Sequence, residues 1–222
     1  ASPHMIYINV EPYDRATDGT NSCEDASCNV LEIAALQQLS DDLDRIEGFS
    51  QANRGFIVAH INAAGMLETA LDERDEQGRN LDDFTNWEGL LGAVSEGEKC
   101  LDAIGNDQAI ASASFAASAM LHRDLNYAPV CEWLDSGDGD PTPSASSTMW
   151  VIEISGEISD DERREKTSMI RTMLTAKHPL GESSSLQYGV ISDDLISHDI
   201  NQSTMDNLVW LLLIAVMVVV AL

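Results

Sequence analysis

Met149-Trp150-Val151-Ile152-Glu153-Ile154-Ser155 is mostly apolar and rich in β-formers, the composition of a buried strand. The residues after this strand set the fold. Ser159, with Glu162 three residues on, opens a helix. Arg171 and Lys177 fall in its later turns, where the helix dipole favours cations. Pro179-Leu180-Gly181 stops it, and Leu186-Gln-Tyr-Gly-Val-Ile191 reads as a second strand. Residues 148–191 are therefore a strand-helix-strand unit.

The same trio stands near the start. Ile6-Tyr-Ile-Asn-Val10 is a short strand of β-formers. Asn29 and Glu32 resemble a capping box. Leu36, Leu39, Leu43 and Ile46 follow on one helical face, and Gly48 suits a stop. Phe56-Ile-Val-Ala-His-Ile61 is the next strand. Units 6–61 and 148–191 predict an α+β fold: a four-stranded sheet with two helices on one face, the split β-α-β or ferredoxin-like arrangement. Between them, 62–147 reads as a helical insertion, with helices at Asn62–Glu76, Leu81–Val94, Glu96–Ala103 and Gln108–Arg123 and a loop over 136–147. Ala1-Ser-Pro-His-Met5 reads as a cloning remnant and is set aside.

Beyond the last strand, Ser192 caps an amphipathic linking helix over 192–207 that carries Leu195, Ile196 and Ile200. It leads into Leu208-Val-Trp-Leu-Leu-Leu-Ile-Ala-Val-Met-Val-Val-Val-Ala-Leu222, which has no charge. As a helix this covers roughly 22 Å of a hydrocarbon core about 30 Å thick. A buried core helix is one reading. Apolar residues on every face favour the other, the truncated start of a transmembrane helix over 208–222. Trp210 then lies at the membrane interface. The approach holds Asp193, Asp194, Asp199 and Asp206 but no Lys or Arg. Cytoplasmic flanks favour basic residues, so the domain is expected on the extracellular side of the cell membrane.

Charge excludes one class outright. Twelve basic against 38 acidic residues give a net charge of −26, the wrong sign for a nucleic-acid binder. The acids are spread along the chain and Lys is scarce, a bias shared with salt-in halophiles. A 44% hydrophobic content and clear periodicity exclude wholesale disorder. Cys23, Cys28, Cys100 and Cys131 are even in number, as an oxidising compartment allows. Of three connectivities, Cys23–Cys28 with Cys100–Cys131 is favoured, the second pair stapling the insertion. Free thiols and a zinc site are the alternatives, and the spacings suit zinc poorly.

Catalytic motifs are weak. His122-Arg-Asp-Leu-Asn126 copies part of a kinase loop without its glycine-rich loop, strand Lys or Asp-Phe-Gly, and reads as a helix end. Asp135, Asp138 and Asp140 miss the Ca²⁺-loop spacing and match a solvated acidic turn. His60 on a strand reads as structural, and Ser183-Ser-Ser185 as a loop. Asn201-Gln-Ser203 is a sequon close to the membrane and reads as chance. No catalytic residue, metal ligand or cofactor is assigned.

One family combines these features. Tyr7–Val10, the helix to Glu47-Gly-Phe49, Trp150–Ser155 and above all the junction Ile196–Trp210 resemble the porter domain of the RND superfamily, in its MMPL-type haloarchaeal branch. The resemblance implies an extracytoplasmic loop domain, not an enzyme. Such a domain helps pass hydrophobic or amphipathic small-molecule substrates during ion-driven export. Its implied partners are the lipid bilayer at 208–222, the other porter loop and membrane helices of the same transporter, and a second copy in a homo-oligomer. The rival reading is a single-anchor extracellular binding or sensor domain. A membrane-anchored hydrolase ranks third, for want of a nucleophile or metal cluster.

Overall fold

Alternation fixes the central strand. In the computed structural model, which describes residues 4–12, 29–94, 125–126, 128–175 and 186–196, β1 spans His4–Pro12. Its Ile6, Ile8 and Val10 are buried, while Met5, Tyr7 and Asn9 are exposed. A period of two is what a strand with one covered face requires. His4 and Met5 are part of this strand, although composition alone set them aside as a remnant. The other strands are β2 (Ile57–Ile61), β3 (Thr148–Ile154) and β4 (Leu186–Ile191).

The sheet has the order β2-β3-β1-β4, and every neighbouring pair is antiparallel. Ile8 faces Trp150 on one side and Val190 on the other. That order makes β1 and β2 run the same way with β3 between them, and β3 and β4 run the same way with β1 between them. Each parallel pair is joined by a helix-bearing connection, as parallel strands demand. The crossover helices are α1 (Ile33–Ala52) and α5 (Asp160–Thr175). Leu36, Leu39 and Ile46 of α1 and Ile170 and Leu174 of α5 share one core with Ile6, Ile8, Trp150 and Ile152. The described chain is thus α+β on a four-stranded antiparallel sheet.

Details of the helices differ from expectation for identifiable reasons. Asn29 does not cap α1. Its Oδ1 accepts from the N–H groups of Leu31 (3.0 Å) and Ala145 (2.9 Å), and its Nδ2 donates to the Pro143 carbonyl (2.7 Å). This buried cross-link, reaching more than a hundred residues along the chain, occupies the side chain, so the helix starts at Ile33 without a side-chain cap. Nor does Gly48 stop it. The chain turns at Arg54 and Gly55, both at positive φ (73° and 65°). Ala63–Arg74 forms α2, close to the expected helix, with Asn62 accepting from the Gly65 N–H.

The expected helix over 81–94 is broken in two. Asn80 and Asp83 form a capping box around a single 3₁₀ turn at Leu81–Asp83, and Phe84 is extended. Asn86 then caps α3 (Trp87–Val94) through the Gly89 N–H. An unforeseen helix, α4, spans Ala128–Ser136. The expected helices at 96–103 and 108–123 lie outside the described residues. Of the linking helix, residues 193–196 form one turn and the rest lies outside.

Candidate functional site

Two places gather polar side chains against the core. The first is the exit of β4. Ser192 Oγ accepts from the Leu195 N–H (3.1 Å), and the Ile196 N–H donates to the Ser192 carbonyl (3.1 Å). That turn presses Leu195 into the core and brings Asp194 against the first turns of α5. There Arg163 grips Asp194 with two parallel bonds, Nε to Oδ2 at 2.7 Å and Nη2 to Oδ1 at 3.0 Å. Its Nη1 donates to Asp160 at 3.0 Å. The Arg163 and Asp194 side chains are 8% and 12% exposed. Among the described residues Arg163 is the one buried basic side chain.

A second tie holds β4 within the strand. The Tyr188 hydroxyl donates to the Asp42 carboxylate of α1. Asp42 also receives Arg45 at 2.8 Å, and Arg45 reaches across to the Met173 carbonyl of α5 at 3.0 Å. Burial, then the neighbouring Asp42 charge, raises the Tyr188 pKa above the ordinary phenol value. Tyr188 thus stays a neutral donor. α1, α5 and β4 meet at this cluster.

The second place is the edge strand β2. A groove of about 380 Å³ is lined by Glu47, Ser50, Gln51, Gly55, Ile57, Val58, Ala59 and His60. His60 Nε2 meets the Glu47 carboxylate, while its Nδ1 is buried without a partner. Ser50 is buried and accepts from the Ile57 N–H (2.9 Å). A His beside a carboxylate can relay a proton, but the groove offers no activated nucleophile to receive its help. Among the described residues no three His, Cys, Asp or Glu side chains converge as metal ligands.

The residues singled out by sequence mostly fall elsewhere. Cys131 is disulfide-bonded, while Cys23, Cys28 and Cys100, and with them the pairing, lie outside the described residues. Trp210, the apolar stretch 208–222, Asn201 and Ser183–Ser185 lie outside as well. Among the described residues no helix is long and apolar enough to cross a membrane. Asp140 turns its carboxylate to Thr142, accepting from the backbone N–H (3.0 Å) and the hydroxyl (2.6 Å), which holds its pKa down. Asn126, from the kinase-like string, bridges to Ser144 instead. His60 is a wall of the β2 groove.

Sequence reasoning missed Arg163 and Asp42. The signal was present: Arg163, Thr167, Ile170 and Leu174 form one buried stripe, and an Arg on such a stripe demands a buried partner. Comparison with known proteins adds no relative: no family model, no curated protein and no solved structure matches this chain.

Proposed function

We propose that this chain is an extracytoplasmic loop domain of an RND-superfamily exporter, on the extracellular side of the cell membrane. It helps pass hydrophobic or amphipathic small molecules during ion-driven transport and performs no chemistry itself. The observation that carries the reading is the strand order β2-β3-β1-β4 with its two crossover helices. That order is what a ferredoxin-like split β-α-β platform requires. The buried anchoring of Asp194 supports it too, because it gives the chain a fixed exit toward the apolar stretch that follows in sequence. In this reading 62–147 is an insertion stapled by Cys100–Cys131, and 192–207 links the platform to a membrane helix beginning at 208. Trp210 marks the interface, and the acidic surface reports a saline habitat. The partners are the bilayer, the other porter loop and membrane helices of the same transporter, and a second copy in a homo-oligomer.

The β2 groove favours a second reading, a single-anchor extracellular binding domain. It is of ligand size and sets His60 beside Glu47 on its wall. The two readings differ in the native gene product. Extracted from source membranes and identified by peptides of this domain, an exporter is several times heavier than the 24.1 kDa of this sequence and yields further hydrophobic peptides. A product near that mass ends the exporter reading and directs the search for a ligand to the β2 groove.

A further inference from the structure

The exit of β4 is built more firmly than a tether needs. A flexible linker would connect a platform to a membrane segment with no buried groups at all. Here Ser192, Asp194 and Leu195 are all buried within four residues of the strand end. The Arg163 guanidinium meets the Asp194 carboxylate as a two-pronged fork, which fixes direction as well as distance. Such a pair is costly to desolvate, so stability alone does not account for its place at a chain exit. In a chain with 12 basic residues, one is placed here, next to the stretch that leads to Leu208–Leu222.

We infer that Arg163 is a positioning residue: its fork on Asp194 locks the exit turn to α5 and so sets the direction in which the chain leaves the platform. This rests on the reading of 208–222 as a membrane helix. Asp194 meets Arg163 in the first turn of α5. The far end of α5 is held through the Met173 carbonyl by Arg45, which also holds Asp42 and, through it, Tyr188 of β4. The exit turn and the sheet are therefore tied to the same helix. Arg163 also reaches Asp160, so the lock includes the helix start itself.

The test uses the full chain in lipid nanodiscs at molar salt. Ketone-bearing unnatural residues at Glu165 and Thr204 carry spin labels, avoiding the native cysteines. The wild type should give a narrow distance distribution. In Arg163→Met it should broaden at least twofold while amide exchange across α5 stays protected. Arg163→Lys, which keeps the charge but loses the fork, should fall between them, an order that a merely stabilising residue would not produce in a folded domain. If Arg163→Met unfolds, the milder Asp194→Asn carries the same expectation. A distribution as narrow in the variants as in the wild type overturns the lock. So does a wild-type distribution that is already broad while amides of 208–222 are protected by lipid. Free exchange of 208–222 in the nanodiscs sinks the membrane reading instead. The lock is then judged on the exit turn alone, where Arg163→Met must raise exchange of the Leu195 and Ile196 amides tenfold or be rejected.

Discussion

Tyr188 shows how one hydroxyl closes a junction of three elements. It donates to an Asp42 carboxylate that Arg45 already holds. Removing the hydroxyl in Tyr188→Phe takes one charge-assisted bond from Asp42 and should cost about 2 kcal/mol. Urea unfolding of the variant would show it as a lower midpoint with an unchanged slope. A raised phenol pKa has the matching sign in pH: stability is intact below the unfolded value near 10 and falls as pH rises above it. Asp75 works in the opposite direction. Arg79 side-chain bonds, then the Arg79 backbone N–H, hold its pKa down to about 2. Its contribution is therefore present above about pH 4, the unfolded value, and lost as pH falls toward 2. Asp75→Asn should lower stability at neutral pH and flatten the acid limb between those values. An acid limb as steep as the wild type's would show that this loop does not respond to that proton.

At the scale of elements, the helix ends are where local and distant demands compete. The turn after α1 places Arg54 at φ 73° and Gly55 at φ 65°. A left-handed residue other than glycine costs roughly 1 kcal/mol. Arg54→Gly should therefore stabilise by about 0.5–1 kcal/mol, and Gly55→Ala should destabilise by about 1 kcal/mol although its Cβ would meet nothing within 4 Å. Thermal midpoints shifting in opposite directions would confirm the pair; a common direction would refute it. The same turn explains what was legible in the sequence. The β-former composition of Ile6–Val10 and Met149–Ser155 and the stripe Leu36–Ile46 depend on neighbours nearby in sequence, and these elements form where composition and periodicity put them. Asn29 could not be read that way, because its partners are Pro143 and Ala145. Gly48 suits a helix stop only if nothing beyond it packs, yet Ser50 is buried and holds the Ile57 N–H. The β2 groove, formed where α1 ends beside an edge strand, has no local signature for the same reason.

For the molecule as a whole, charge decides the conditions under which these contacts count. A net charge of −26 on 222 residues repels itself, and salt relieves the strain as the Debye length falls from about 30 Å at 0.01 M to about 3 Å at 1 M. The unfolding midpoint should rise steeply with KCl over that range and then level off. The individual ion pairs should not all follow. Arg164–Asp161, 3.5 Å apart with Asp161 97% exposed, lies in solvent and is worth a few tenths of a kcal/mol at low salt. The fork between Arg163 and Asp194 is shielded from ions by its burial. Breaking it leaves an unpaired buried carboxylate and should cost about 3 kcal/mol. Unfolding of Arg163→Met and Asp161→Asn, each against wild type at 0.1 M and 2 M KCl, separates the two. The first penalty should persist at both salts and the second should vanish at the higher. If the Arg163 penalty also fades with salt, the exit of β4 is open to solvent and the fork does not lock it.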